Sequence, residues 1–260
     1  MVAKGKRILV VAPHPDDEAA GLSIALHRLG RRYERFIVYA TTGARGDFDP
    51  AKKSKWAAYR TKGQYAQERE KEATEGMGML EIPRGNLMFL ENDSWGLHGK
   101  LQEFAKELGK IISYIRPALI LSPAMEHAHP DHDSVRAVLE KIKCPERSAL
   151  QEYALYSNSN GMERFNAFAP PGTGIVLKAT VEEKALKAGV LSCYRSQEGG
   201  ILDLFSKTTE SLRPVKPLAS GGIIPKEPVF GEQFSDWSRK DVIAAYARIF
   251  EFVENSASYW

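Results

Sequence analysis

The apolar positions along the chain follow two different periods. Short, nearly unbroken apolar runs predict buried strands, and longer stretches with an apolar residue every three or four positions predict amphipathic helices. The predicted strands, in chain order, are 7–12, 35–41, 87–90, 118–122, 153–156 and 174–180. The predicted helices are 16–29, 67–79, 101–115, 131–142, 181–194 and a closing amphipathic helix around 242–253.

Strands that alternate with helices favour an α/β fold, because parallel strands need a crossover connection and a helix usually supplies it. We therefore expect a Rossmann-like, mostly parallel sheet flanked by helices. A length of 260 residues suits one domain of this kind, so the whole chain, 1–260, is expected to form a single domain. From about residue 199 the chain is richer in proline and glycine, which predicts an irregular C-terminal extension.

Two clusters of histidine and acid follow two of the predicted strands. The first, His14-Pro15-Asp16-Asp17-Glu18, comes directly after the strand at 7–12, and the second, His129-Pro130-Asp131-His132, comes after the strand at 118–122. In an open parallel sheet, ligands collect at the carboxyl ends of the strands. Both clusters are expected at that edge, where they can form one shared metal site.

Two imidazoles and one carboxylate with an open position form the ligand set of a catalytic zinc site. The clusters offer more candidate ligands than one ion needs. If His14, Asp17 and His132 hold the metal, Asp16 and His129 remain as acid/base groups beside the bound water. Each cluster alone also has a structural explanation, an acidic helix start for the first and a turn with surface histidines for the second. Their conjunction favours the metal site.

Composition narrows the class of protein. The net charge of +3 is too small to indicate nucleic-acid binding, and no apolar run approaches the length of a membrane span. The basic N-terminus lacks the features of a cleavable signal peptide, so we expect a cytoplasmic location. Cys144 and Cys193 have no spacing typical of a disulfide framework or a cysteine metal site and are expected to be reduced.

The two clusters resemble the signatures of the LmbE-like, or PIG-L, family of zinc-dependent N-deacetylases. The first matches an Ala-His-Pro-Asp-Asp-Glu signature from His14 onwards, with Pro13 standing between Ala12 and His14, and the second matches a His-Pro-Asp-His signature. The resemblance implies that zinc is bound by His14, Asp17 and His132. It also implies that Asp16 is the general base and that His129, expected to be cationic, stabilises the oxyanion.

Three further residues are expected to bind substrate. Arg69 resembles a family arginine that shapes the substrate pocket, and the alternative is a helix-surface salt bridge to Glu72 or Glu68. His127 stands where some relatives have tyrosine, so it is either an oxyanion donor or a solvated loop histidine. Trp95 follows the third predicted strand and is expected to line the pocket.

The segment 43–67 is either a lid over the same edge of the sheet or a solvated loop.

The resemblance implies a hydrolase that removes the N-acetyl group from an amino sugar of the N-acetylglucosamine type, or from its conjugate, to give acetate and a free amine. The expected partner is a small N-acetylated sugar or glycoconjugate. A homo-oligomer formed through the C-terminal part is a further expectation. Two alternatives stay open: a non-haem iron oxygenase, which uses the same two-histidine, one-carboxylate ligands, and a non-catalytic carbohydrate- or metal-binding protein.

Overall fold

The computed structural model describes residues 6–52, 56–142, 148–159, 162–168, 174–206, 209–218, 223, 225 and 237–256. Cys144 and much of the predicted irregular extension lie outside these ranges. The strands are β1 (Arg7–Ala12), β2 (Glu34–Tyr39), β3 (Leu87–Phe89), β4 (Leu119–Pro123), β5 (Ala149–Tyr153), β6 (Tyr156–Ser159), β7 (Met162–Phe165), β8 (Ile175–Leu177) and β9 (Glu210–Pro214). The helices are α1 (Asp17–Leu29), α2 (Lys62–Met79), α3 (Leu101–Ile115), α4 (Pro130–Lys141), α5 (Val181–Leu191) and α6 (Arg239–Asn255).

The main sheet of the described chain has seven strands in the order β3-β2-β1-β4-β5-β9-β8. The first five strands of the chain run parallel, whereas β9 pairs antiparallel with β5 and β8 pairs antiparallel with β9. The strands β6 and β7 form a separate antiparallel pair. The expectation of an α/β fold with a mostly parallel sheet flanked by helices is therefore confirmed.

Alternate residues of β1 enter two hydrophobic cores on opposite faces of the sheet. Leu9 and Val11 pack with side chains of α3, α4 and α6, whereas Ile8 and Val10 pack with side chains of α1, α2 and α5. A strand buried on both faces reads as a continuous apolar run, which is why β1 is visible in the sequence. In the described part of the chain, no helix has the combination of length and apolar character that crossing a membrane requires.

The structure corrects several predicted boundaries. Helix α2 begins at Lys62, ahead of the predicted start at 67, and the hydroxyl of Thr61 caps it by accepting a hydrogen bond from the Gln64 N–H at 3.2 Å. Its first three residues, Lys62, Gly63 and Gln64, are exposed, so no apolar pattern marks the start of the helix. The predicted strand at 153–156 is wrong, because Tyr153 ends β5 and Tyr156 begins β6. Strand β9 lies in the part of the chain that was expected to be irregular.

A buried ion pair fastens α5 and β9 to the middle of α1. The Lys187 Nζ lies 3.1 Å from the Glu210 Oε1 and donates to the Ala20 carbonyl at 2.7 Å. The Glu210 carboxylate in turn accepts the backbone N–H groups of Ile24 and Ala25, each at 2.9 Å. Both charged side chains are almost fully buried. The two side chains provide hydrogen-bond partners for each other and for the backbone of α1 in the protein interior.

Replacing Lys187 with Met should destabilise the protein by about 3–5 kcal/mol, because the Glu210 carboxylate would stay buried without its cation. Urea unfolding followed by circular dichroism measures the change. The matched control is Lys184→Met in the same helix, where the exposed side chain should change the unfolding free energy by less than about 0.5 kcal/mol. Equal stability of the two variants would show that the buried pair contributes nothing to the fold.

Candidate metal centre and catalytic cavity

The two histidine clusters lie side by side because β1 and β4 are neighbouring parallel strands. Ile8 pairs with Leu119 and Val10 pairs with Leu121, so the two strands end at the same edge of the sheet. His14 follows the end of β1, and His129 and His132 lie at the start of α4, which follows β4. The topology therefore brings together residues that are far apart in sequence.

Three donor atoms form a nearly equilateral triangle at this edge. The His14 Nδ1 lies 3.1 Å from the Asp17 Oδ2 and 3.3 Å from the His132 Nε2, and those last two atoms lie 3.4 Å apart. A tetrahedral zinc ion with metal–ligand distances of about 2.0–2.1 Å holds its ligand atoms about 3.3 Å from one another. The spacing and the chemistry of these donors both fit a single metal ion.

His129 belongs to the same cluster but is engaged differently. Its ligand atom lies within 4.8 Å of those of His14 and His132, so the three histidines also form a possible metal-binding group. However, the His129 Nδ1 accepts the Asp131 N–H at 3.1 Å and thereby caps α4, which leaves only its Nε2 for another partner. The triangle that includes Asp17 is tighter, and we regard it as the better ligand set.

The expectation of a cationic His129 does not hold in this structure. Burial lowers the pKa of His129 well below its ordinary value, and the positive charge of His14 lowers it further. The Nδ1 of His129 accepts a hydrogen bond, so this nitrogen carries no proton. The ring is therefore neutral, with its proton on the Nε2. A neutral imidazole can still donate this N–H to a developing negative charge.

Asp131 holds His14 from behind, a role that the sequence interpretation missed. Its Oδ2 lies 3.1 Å from the His14 Nε2 and accepts the Trp95 N–H at 2.6 Å, while its Oδ1 accepts the Leu97 N–H at 3.2 Å. If the His14 Nδ1 binds a metal, its Nε2–H donates to Asp131, which is the usual support of a metal-bound histidine. The position of Asp131 between the two histidines of the second cluster was the available signal.

The charge of His14 depends on the carboxylates of Asp131 and Asp17, which contact its two ring nitrogens. Burial opposes the charged imidazolium, but the hydrogen bonds to Asp131 and Asp17 outweigh it and raise the pKa of His14 to about 10. For Asp131, burial acts in the opposite direction, and the hydrogen bond from His14 outweighs it to hold the pKa at about 2. In the metal-free protein, His14 is therefore protonated at neutral pH.

Asp16 and Arg69 form an ion pair beside the donor triangle. The Arg69 Nη2 lies 2.9 Å from the Asp16 Oδ2 and donates to the Pro15 carbonyl at 2.6 Å. Burial raises the pKa of Asp16 above its ordinary value, although the charge of Arg69 opposes this shift. The Asp16 side chain makes no capping bond to α1, so helix capping does not explain it. The alternative of a surface salt bridge for Arg69 is wrong, because Arg69 is buried at the site.

A cavity of about 190 Å³ opens in front of these residues. Trp95 lines it, as expected, and its ring centroid lies 4.1 Å from that of His129. The predicted lid contributes wall residues, and its Trp56 and Tyr65 are buried against Ala44. The full lining is His14, Asp16, Asp17, Ala20, Gly43, Arg45, Trp56, Tyr65, Arg69, Ser94, Trp95, His129, Tyr156, Gln197, Ile201, Leu202 and Phe205.

His127 does not line this cavity, contrary to the expectation that it binds substrate. Its backbone has a positive φ of 54°, and its ring lies 5.7 Å from that of Tyr246 in α6, between centroids. The wall instead receives Tyr156 from β6 and Gln197 from the turn after α5, neither of which was singled out as a site residue. Gln197 belongs to Arg195-Ser196-Gln197, a stretch with weaker similarity to the family that was the available signal, whereas nothing in the sequence pattern points to Tyr156.

The fold and this cavity define an α/β protein with a histidine- and carboxylate-lined site of the kind that holds a catalytic metal ion. The sequence model of the PIG-L family, described as GlcNAc-PI de-N-acetylase, matches residues 9–143, which is more than half of the chain. Both clusters lie inside this match. The chain therefore belongs to the PIG-L family, which confirms the resemblance, and it is an enzyme of the N-deacetylase class.

Solved structures share the same fold. A deacetylase of the teicoplanin biosynthesis pathway, solved in complex with bog, gives a TM-score of 0.62 at 16% identity and covers 82% of this chain and 99% of that chain. The N,N'-diacetylchitobiose deacetylase of Pyrococcus horikoshii gives 0.60 at 17% identity, with 82% and 84% covered. GalB, the 4-carboxy-2-hydroxymuconate hydratase of Pseudomonas putida, gives 0.53 at 14% identity, with 82% and 98% covered. No curated protein matches the chain.

Metal affinity should rise with pH, because His14 must lose its proton before its Nδ1 can bind an ion. With a pKa of about 10 in the metal-free protein, His14 is protonated throughout the neutral range. The zinc dissociation constant should therefore fall about tenfold per pH unit between about pH 6 and pH 8, as measured by competition with a chelator of known affinity. An exposed histidine variant, His27→Ala, should show the same slope. A pH-independent affinity would contradict the assignment of His14 as a ligand.

Proposed function

We propose that the protein is a zinc-dependent hydrolase that removes the N-acetyl group from an amino sugar of the N-acetylglucosamine type, or from its conjugate, giving acetate and a free amine. The observation that carries the proposal is the donor triangle of His14, Asp17 and His132, with sides of 3.1–3.4 Å, next to an Asp16 carboxylate that lines the same cavity. A ligand set with a separate base beside it is what metal-assisted hydrolysis needs.

The three donors favour zinc, which binds nitrogen and carboxylate oxygen in tetrahedral sites. When bound, such an ion lowers the pKa of a coordinated water to about 7 and polarises a carbonyl oxygen. Once the His14 Nδ1 binds the ion, Asp131 can accept the Nε2–H, which fixes the tautomer and the direction of the ring. Asp17 and His132 complete the set of protein ligands.

In this proposal Asp16 acts as the general base. Its carboxylate is held by Arg69 on one side, at 2.9 Å, and borders the cavity on the other. A carboxylate in this position can take a proton from the attacking water and return it to the departing nitrogen. The return step matters because an amide yields a strongly basic amine, which leaves only once it is protonated.

In this proposal His129 stabilises the oxyanion. Its Nδ1 is engaged in capping α4, so the Nε2–H is the group that it can offer to the substrate. This helix cap also fixes the direction of the ring. A fixed donor of this kind contributes about 3 kcal/mol to transition-state stabilisation in other hydrolases. The mechanism needs the N–H of His129 and not a positive charge on the ring.

The cavity suits a group of the size and polarity of one sugar ring. It measures about 190 Å³ and carries the indole of Trp95, which can stack on a sugar. The Arg45 guanidinium carbon lies 5.8 Å from the centre of that indole and fixes the ring from one side. Two structural neighbours are a chitobiose deacetylase and a teicoplanin-pathway deacetylase, which supports an N-acetylated sugar or glycoconjugate as the partner.

Two alternative functions, a non-haem iron oxygenase and a non-catalytic carbohydrate- or metal-binding protein, can each be distinguished from this proposal by one observation. A non-haem iron oxygenase would consume oxygen when loaded with ferrous iron, and a deacetylase would not. A non-catalytic binding protein is disfavoured by the match to a de-N-acetylase family, and it would bind N-acetylated sugars without releasing acetate. The cytoplasmic location, the single domain over 1–260 and the homo-oligomer stay predictions that other experiments must address.

Replacing Asp16 with Asn should keep the metal and abolish most turnover, because the amide can fill the same space but cannot take a proton. Acetate release from a panel of N-acetylated sugars by the zinc-loaded protein is the measurement, together with zinc content. We expect at least about a hundredfold loss of kcat. Glu107→Gln is the control, since this exposed carboxylate of α3 lies outside both the catalytic cavity and its neighbour.

Replacing His132 with Ala should instead lower the zinc content itself, so the two variants separate a base from a ligand. An Asp16→Asn variant that retains near-normal kcat would contradict the role of Asp16. Wild-type protein that holds zinc but releases no acetate from any sugar of the panel would contradict the proposed function.

A further inference from the structure

The turn that follows α5 presents one amide side chain to the catalytic cavity. Gln197 lines the cavity together with the proposed ligands and with Asp16. The mechanism above makes no use of it. Its hydrogen bonds reveal which of its two polar atoms is available to a substrate, because the neighbouring groups leave only one orientation of the amide.

The orientation begins at the buried Glu72 of α2. The Glu72 Oε1 accepts the backbone N–H of Ser196 at 2.7 Å, and its Oε2 accepts the hydroxyl of Ser196, also at 2.7 Å. A hydroxyl has a single proton. Since the carboxylate takes that proton, the Ser196 Oγ can only accept a hydrogen bond from any further partner.

That partner is the Nε2 of Gln197. It donates to the Ser196 Oγ at 2.9 Å and to the Tyr65 hydroxyl oxygen at 2.8 Å, which uses both of its protons. A flipped amide would place its oxygen against the Ser196 Oγ, where neither atom has a proton to share. The amide is therefore fixed with its Oε1 facing away from Ser196 and Tyr65, and no residue in the described ranges donates a hydrogen bond to this oxygen.

Gln197 lies where two cavities adjoin. Gln197 and Leu202 line both the catalytic cavity and a neighbouring cavity of about 430 Å³. A substrate that fills the catalytic cavity with its acetamido group and sugar ring extends past Gln197 when it leaves toward the larger space. A fixed acceptor on a residue at that junction can meet hydroxyl groups of the sugar, which are the donors that such a substrate carries.

We propose that the Gln197 Oε1 accepts a hydrogen bond from a hydroxyl group of the bound sugar and that Gln197 is a specificity-determining residue. The inference rests on the proposed function, since it takes the substrate to be an amino sugar. Glu72 and Ser196 are positioning residues, which act by holding the amide in one orientation.

The test compares Gln197→Met with the wild type in binding to the metal-free protein. The ligands are methyl N-acetylglucosaminide and its 3-deoxy, 4-deoxy and 6-deoxy analogues, and the signal is the fluorescence of Trp56 and Trp95, which line the cavity. Methionine has nearly the shape of glutamine but no acceptor oxygen. We expect the variant to bind the parent sugar about threefold to tenfold more weakly, the range for loss of one uncharged hydrogen bond. One deoxy analogue should bind equally to both proteins.

Two further variants serve as controls for this test. Gln67→Met makes the same substitution on the exposed face of α2 and should bind all four ligands as the wild type does. Ser196→Ala frees the amide to turn and should weaken binding of the parent sugar by less than Gln197→Met. A Gln197→Met protein that loses affinity for every analogue equally, or for none, would overturn the inference, as would a wild type that binds none of the sugars.

Acetate release, measured in parallel on the zinc-loaded proteins, separates this inference from the function on which it rests. A wild type that releases acetate with no contribution from Gln197 overturns the inference alone. A wild type that recognises a hydroxyl through Gln197 but releases no acetate overturns the proposed deacetylation alone.

Discussion

The parallel pairing of β1 with β4 is the constraint on which the site depends. It brings the residues that follow both strands to one edge of the sheet, so that His14 and His132 approach within 3.3 Å although 118 positions separate them. The two cores on either face of the sheet hold this pairing. Any change that shifted the register of β4 would move the start of α4 along the sheet edge and separate the donor atoms.

A second set of contacts, around the proposed ligands, fixes the orientation of their side chains. Asp131 joins the loop after β3 to His14, because the same oxygen faces the Trp95 N–H and the His14 Nε2. Trp95 itself has a positive φ of 64°, which is uncommon for a bulky residue and costs free energy that the surrounding contacts must offset. A hydratase shares this fold, so the fold alone does not determine the reaction. The chemistry of the site depends on these side chains.

Much of this arrangement was predictable from sequence, for identifiable reasons. Strand β1 and helix α3 begin and end where their apolar patterns predict, because β1 is buried on both faces and α3 has one strongly apolar face. The convergence of the two clusters follows from the general rule on strand ends. The contact of Asp131 with the Trp95 N–H and the orientation of the Gln197 amide were not predictable, because both depend on loop conformations that no periodic pattern encodes.

Helix α2 carries Arg69 and Glu72, which contact two different parts of the site, and their spacing in the helix determines both contacts. Arg69 holds Asp16, while Glu72, three positions later, anchors the turn that presents Gln197. One residue inserted between them would rotate Glu72 about the helix axis by about 100° and lift it away from Ser196. An insertion or deletion between Arg69 and Glu72 would therefore break either the contact with Asp16 or the contact with Ser196, even if the rest of the helix still formed.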